Sequence, residues 1–324
     1  MKKYLSIALI ITTLGGGLAN GQTGSQKRVA SSTVTLTNLY DAFGKELPGV
    51  RQDFGFSTIV KYRGKTILFD AGTNAKVFES NLRKMKIDLR KVDIAIISHG
   101  HYDHIGGMDY LLGVNPRVKI YLPRDFFSIG APTKFPFREP EPEVARSLPK
   151  DERYFRGSSV VEGMITEPTG RFWRSDIEYL TDVKEVLPGV TIVPTTATLM
   201  GTFVKYPPFD KAPQFIGMPE LSVSFSTDNG QIIVSGCSHT GIENIIQEIS
   251  KVKKEKILLV TGGFHLIPYG REYIETLATR MRDTYGVEFV APAHCSGHMA
   301  FSIFREIFKG RYRFFGLGES ISLQ

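Results

Sequence analysis

Three of the chain's seven histidines fall within six residues, in the stretch SHGHYDHIGG at 98–107. Neutral imidazoles and a carboxylate are the ligands that zinc, manganese and iron accept. His99, His101, Asp103 and His104 supply four of them at once. The wholly apolar run DIAII at 93–97 predicts a short strand buried on both faces. His99 and His101 then lie on the loop at its carboxyl end, where several side chains can aim at one point. A helix is predicted from about residue 103 to 112. Asp103 also suits its N-cap, and the Gly106-Gly107 pair permits close backbone approach.

So short a fragment cannot close a metal site alone, and further ligands must come from distant positions. His239 follows QIIVSG in GCSHTG, His265 follows ILLVTGG in GGFHL, and His294 follows EFVAP in PAHCSG. Three separate strand ends finishing in histidine is the pattern of groups facing one cleft. His298, in the first turn of the last helix, reads as a surface or capping residue. Cys237 and Cys295 each stand beside a histidine. That context favours two thiols lining the site, although a single disulfide is open to an exported chain. Asp70 in LFDAG is placed to orient a ligating imidazole, with a turn-forming Asp before Gly as the plainer reading. Glu243 reads as a first-turn acid at a helix N-terminus.

The elements needed to position these residues are legible as patterned runs. STVTLTNLY at 32–40, STIVKYR at 57–63 and KTILFDAG at 65–72 read as strands, and AKVFESNLRKMK at 75–86 has helical apolar spacing. VKIYL is a further strand. VTIVPTT at 190–196, LSVSFST at 221–227 and QIIVSG at 231–236 are strands, the last two joined by the hairpin turn Asp228-Asn229-Gly230. GIENIIQEIS, REYIETLATRMRDTYG and HMAFSIFREIF are helices, ILLVTGG and EFVAPAH strands, and YRFFGLGESISL closes the chain in strands. This mixture specifies one α/β domain over 33–324 with helices covering sheets. From about 123 to 189 periodicity is weak while proline, arginine and aromatics are frequent. So long an irregular insertion points to a lid. Arg138 and Arg171 in it are candidates for meeting negative charge. Its aromatics (Phe126, Phe127, Phe135, Phe137, Tyr154, Phe155, Phe172 and Trp173) would line an apolar pocket or pack a satellite core.

Bulk properties narrow the function. The 324 residues are 42% hydrophobic and 23% charged, ordinary for a globular chain able to bury a large core. The formal charge is +7. Residues 1–21, with a basic start, a short apolar run and small residues at Ala19 and Gly21, read as a signal peptide. Residues 22–32 read as a flexible lead-in. Without the first 21 residues the net charge is +5, with basic residues scattered. This favours a small-molecule substrate, at most mildly anionic, and gives no case for nucleic acid or stable membrane insertion. The expected location is periplasmic or secreted.

SHGHYDHIGG, preceded by ILFDAG, resembles the metallo-β-lactamase-fold superfamily. GCSHTGI, GGFHL and HCSG resemble the branch identified with β-ribofuranosylaminobenzene 5′-phosphate synthase. The resemblance covers roughly 33–324 apart from 123–189. It implies an αβ/βα sandwich, two mixed β-sheets flanked by helices, with one or two divalent metals between the sheets. It further implies that His99, His101 and a later histidine hold one metal, and that Asp103, His104 and His294 hold another. The third-motif histidine expected around Ala197 to Phe203 is absent, and His239 is the natural substitute. Cys237 stands where a bridging aspartate is expected, and either bridges as a thiolate or packs beneath the site.

The implied chemistry is metal-assisted hydrolysis of an ester, amide or phosphodiester. A bound divalent ion, zinc foremost and otherwise manganese or iron, lowers the pKa of its water from about 15.7 toward 7 and so supplies hydroxide at neutral pH. Asp103 would orient that nucleophile or shuttle its proton. His265 would act on substrate or in proton transfer, with a satisfied core histidine as the competing reading. The alternatives are a pterin/phosphoribosyl transferase, an iron-dependent oxidoreductase on the same fold, and a non-catalytic small-anion-binding protein with a structural metal. An exported chain would not meet the transferase's cytosolic substrates.

Overall fold

β-Branched and aliphatic residues alternate between two cores along the strands, and this alternation builds the layers. In β1 (Val34–Tyr40), β2 (Ser57–Tyr62), β3 (Lys65–Phe69) and β4 (Ile94–Ile96), side chains such as Leu36, Val60, Ile67 and Ile96 face one core. Their neighbours Ile59, Leu68 and Ala95 face another. With side chains alternating across a strand, each strand is buried on both faces.

In the computed structural model, residues 32–124, 126, 142–153, 175–197 and 218–324 are described. β5 (Lys119–Pro123), β6 (Asp176–Leu180) and β13 (Ser320–Leu323) complete the first sheet. Its order is β13-β1-β2-β3-β4-β5-β6, antiparallel up to β3 and parallel from β3 to β6. The second sheet holds β7 (Lys184–Leu187), β8 (Val190–Ala197), β9 (Met218–Thr227), β10 (Gly230–Ser235), β11 (Ile257–Gly263) and β12 (Phe289–Ala293). Its order is β12-β11-β10-β9-β8-β7, with β10, β11 and β12 parallel.

One core lies between the sheets, joining Phe69 and Ile96 to Val223, Val234 and Ala293. A second packs the outer face of the second sheet against α5 (Ile242–Val252), α6 (Arg271–Asp283) and α7 (Gly297–Phe308). The spacing of Ile242, Ile245, Ile246 and Ile249 gives α5 one apolar stripe to bury there. A third core covers the first sheet with α1 (Ala75–Lys84) and α3 (Met108–Val114). Asn74 starts α1 by accepting from the backbone N–H groups of Lys76 and Val77. The layers are therefore helix, sheet, sheet, helix, the αβ/βα sandwich expected. No described helix is long and apolar enough to cross a membrane.

Three expectations change. The single helix at 103–112 is two pieces, α2 (Tyr102–Ile105) and α3, broken at Gly106-Gly107. A side chain at Gly106 would drive into the Thr73 backbone, so the chain turns there on glycine. The stretch 123–189 is not irregular throughout. It contains α4 (Pro142–Ser147), whose turn packs on α7, and the edge strands β6 and β7. Phe126 is buried in the core beneath the first sheet, not in a lid. Arg138, Arg171 and the other aromatics named there lie outside the described residues, as do residues 1–21, read above as a signal peptide, and nearly all of residues 22–32.

Candidate metal centre

Five strand ends converge at the rim between the sheets. Asp70 follows β3, Ser98 to His101 follow β4, Cys237 to His239 follow β10, His265 follows β11, and His294 follows β12. Asp70, Ser238, His265 and His294 all take positive φ, between 48° and 61°. That left-handed conformation is costly for residues with a Cβ and clusters at functional sites. Here it turns the side chains back across the strand ends.

His99, His101 and His239 form the first group, with one potential ligand atom each, all within 4.8 Å of one another. His99 Nδ1 lies 2.8 Å from Ser98 Oγ, whose hydroxyl donates to Asp70 Oδ2 at 2.7 Å. Ser98 therefore accepts the Nδ1 proton of His99 and leaves Nε2 with its lone pair. His99 Nε2 faces His239 Nε2 at 3.3 Å, close to the separation of about 3.3 Å between two nitrogens on one tetrahedral zinc. Burial, and then the neighbouring imidazoles, push His99 and His239 well below the ordinary histidine range. They are neutral at pH 7, the form that binds metal. His101 is half-buried at the cleft mouth.

Asp103, His104, Cys237 and His294 form the second group, all buried and again within 4.8 Å. Asp103 Oδ2 is 3.1 Å from His294 Nε2 and 3.5 Å from His104 Nε2. His104 Nε2 is 3.1 Å from Cys237 Sγ, and its Nδ1 is 2.7 Å from Asp70 Oδ2. Burial alone would raise the Asp103 carboxyl, but His104 and His294 outweigh it and hold the carboxyl below its usual range. Burial would lower His294, yet Cys295, Asp103 and Asp41 override it and push the imidazole up to about 9. This group thus attracts positive charge, while His239 Nδ1 is buried without a hydrogen-bond partner among the described residues. Two neutral imidazoles beside a group that draws in positive charge, whose His294 gives up its proton on metal binding, suit a divalent ion. The residues present fit one or two such ions.

Cys237 also belongs to a third group with His265 and Cys295. The two sulfurs are 3.4 Å apart and unbonded, so the pair is two free buried thiols lining the site. His265 sits with these thiols and against His239, ring centroids 4.3 Å apart, and not in the group that holds Asp103. Asp103 does not cap its helix; His101 occupies that position. His298 is buried, 3% exposed, and so is not a surface residue. Glu243 stands in the first turn of α5, paired with Arg280. The positions around Ala197 to Phe203 lie outside the described residues beyond Ala197 itself.

Two buried carboxylates that no sequence motif marks hold the site loops. Glu220 accepts from the backbone N–H groups of His239 and Thr240 at 2.9 and 2.8 Å and fixes the His239 loop. Burial pushes it up to about 7 despite those bonds. Asp41 accepts from His294 N at 3.1 Å and from Asn38. Neither stands in a histidine motif, and no local spacing marks them. Phe54 and Phe56 wall the His294 ring, at centroid distances of 4.9 and 6.2 Å.

The sequence profile of the metallo-β-lactamase superfamily matches residues 50–202. A 7,8-dihydropterin-6-methyl-4-(β-D-ribofuranosyl)-aminobenzene-5′-phosphate synthase from Methanocaldococcus jannaschii is 29% identical over 255 residues, spanning 76% of this chain and 80% of its own. Ribonuclease Z of Borrelia duttonii is 41% identical over 58 residues, 18% of this chain and 16% of that protein. Among solved structures, Tm1679, a metal-dependent hydrolase of the β-lactamase superfamily, matches with a TM-score of 0.64 and 24% identity. That match covers 90% of this chain and 99% of Tm1679. Sandwich, strand-end histidines and sequence match agree: the chain has the metallo-β-lactamase fold, and its sequence resembles that superfamily over residues 50–202 and the Methanocaldococcus jannaschii synthase over 255 residues.

Proposed function

We propose that the chain is a metal-dependent hydrolase of an ester, amide or phosphodiester, with His99, His101 and His239 holding one ion and Asp103, His104 and His294 holding the second. The observation that carries this reading is the position of Asp103, 3.1 Å from His294 and 3.5 Å from His104, with the His104 ring 4.2 Å from that of His99 in the neighbouring histidine trio. A divalent ion held there, zinc foremost and otherwise manganese or iron, supplies Lewis acidity and acidifies water.

The chain's own groups do the rest. Asp103, kept ionised by the adjacent imidazoles, accepts the proton of the attacking water or orients it. Asp70 fixes His104 directly and His99 through Ser98, so both rings present Nε2 to the cleft. Phe54 and Phe56 exclude water from the His294 side. The half-buried His101 and His265 mark the open face by which a small, mildly anionic substrate arrives. The expected export of the chain remains part of this proposal and is checked by N-terminal sequencing of the protein recovered from its native host.

The test is a panel of chromogenic ester, amide and phosphodiester substrates with protein loaded with zinc or manganese. Metal-dependent turnover of one class, reduced about 10²-fold or more in kcat by Asp103→Asn, is expected. Equal turnover by the two proteins, or none with any class, contradicts the reading. The likeness to the archaeal synthase over 76% of the chain favours one second reading, condensation of a pterin with a ribofuranosyl-aminobenzene phosphate. Assay of that condensation with the same protein separates the two.

A further inference from the structure

The hydrolytic reading uses neither Cys295 nor the two-thiol arrangement beside it. Cys237 and Cys295 are 2% and 4% exposed, their sulfurs are 3.4 Å apart, and no disulfide joins them. A disulfide needs about 2.05 Å between sulfurs. Two sulfurs on one tetrahedral zinc, by contrast, stand about 3.7–3.8 Å apart, given Zn–S near 2.3 Å, so the pair needs to open by only a few tenths of an ångström to share an ion. A ring nitrogen of His265 completes the set, with all three ligand atoms within 4.8 Å.

The surrounding backbone holds the three donors together. Gly263, which ends β11, lets the Gly236 backbone and Cys295 close up together; a Cβ there would come 2.3 Å from Gly236 O and 2.8 Å from Cys295 Sγ. Cys295 is held from the other side by its carbonyl, which accepts from Leu266 N at 3.1 Å, so the His265 loop and the Cys295 loop are tied together. His265 takes φ 53°, which turns its ring toward the thiols and His239. His265 alone of the three is half-buried, leaving one side of the set open to the cleft.

We infer that Cys237, Cys295 and His265 form a separate sulfur-rich cation position adjoining the histidine groups, which takes a thiophilic divalent ion such as zinc or cadmium. Two thiolates and one imidazole are a soft donor set, unlike the nitrogen and oxygen donors of the other positions. Cys237 is the shared corner, since it also lies in the group with Asp103, His104 and His294. The open fourth direction leaves room for water or a substrate atom. This position does not depend on the chain being a hydrolase.

Stoichiometry and spectroscopy test it without any activity assay. Metal-free, reduced full-length protein is titrated with cobalt(II), following the thiolate-to-cobalt charge-transfer band and the equivalents bound. Cys295→Ser and His265→Gln leave every atom of the first two groups in place. Each is expected to bind one equivalent fewer than wild type and to lose most of the charge-transfer intensity. Unchanged stoichiometry and band in both variants would overturn the proposal. Should Cys295→Ser fold poorly, cadmium NMR of the wild type decides: a resonance in the two-sulfur region is expected, and its absence from saturated protein overturns the assignment.

Discussion

Asp70 Oδ2 and His104 Nδ1 meet at 2.7 Å across 34 residues of chain, and the same oxygen accepts the hydroxyl of Ser98 at 2.7 Å. One buried carboxylate therefore sets the ring orientation of a ligand in each histidine group, His104 directly and His99 through Ser98. Removing such outer partners typically costs 10–100-fold in metal affinity. Asp70→Asn is expected to weaken zinc binding by about that factor, and Ser98→Ala by the lower end of it. Competition with a chromophoric chelator measures both; wild-type affinity in Asp70→Asn would remove Asp70 from the account.

The break between α2 and α3 is a steric requirement. A Cβ at Gly106 would overlap the Thr73 backbone, whereas one at Gly113 in α3 meets nothing within 4 Å. Gly106→Ala should destabilise the fold by about 3 kcal/mol or more. Gly113→Ala should stabilise it by about 0.5–1 kcal/mol, the helical preference of alanine over glycine. Urea unfolding of the two variants gives opposite shifts in midpoint if the helix break is built as described.

His298 provides a pH signature away from the metal groups. Its burial, then the charge of Arg153, push the imidazole down to about 4 from an ordinary value near 6.5. Between those values the unfolded chain binds the proton that the folded chain refuses. Stability from this source is therefore complete above about pH 6.5 and lost as pH falls toward 4. From about pH 7.5 to pH 5, metal-free wild type should lose roughly 2 kcal/mol more than His298→Gln. Parallel pH profiles would show that His298 titrates normally.

Glu220 holds the loop that carries His239 by two backbone bonds, at 2.9 and 2.8 Å. Glu220→Ala leaves both N–H groups buried and unmet, at about 1–3 kcal/mol each. Glu220→Gln retains an acceptor oxygen and should recover part of that loss. Thermal unfolding of the metal-free proteins should rank wild type, then Gln, then Ala; a Gln variant no better than Ala would mean that the carboxylate's second oxygen is indispensable.

The layered fold was readable because its central strands are apolar on both faces and its helices carry clean stripes, as in DIAII and IENIIQEIS. The strand-end histidines were readable because each follows such a strand. The edges were not. β6 and β7, DIEYL and KEVL, are short, half-exposed and charged, and they meet through the Glu178–Lys184 ion pair. Charge on an edge strand guards it against unwanted pairing, and the same charge erases the alternation that marks a strand. Glu220 and Asp41 escaped for another reason: their role is to receive backbone N–H groups from loops distant in sequence, and only the closed fold brings donor and acceptor together. His298 escaped because a first-turn position does not reveal which face α7 buries.

The central claim is that the converging histidines and Asp103 hold divalent metal, and elemental analysis of purified protein tests it most directly. Wild type is predicted to carry zinc, manganese or iron in near-integral amounts. His101→Ala, which removes a half-buried ligand without opening the core, is predicted to lose about one equivalent while keeping its fold by circular dichroism. A wild-type protein without metal after reconstitution, or a His101→Ala variant that binds as much as wild type, would contradict the account.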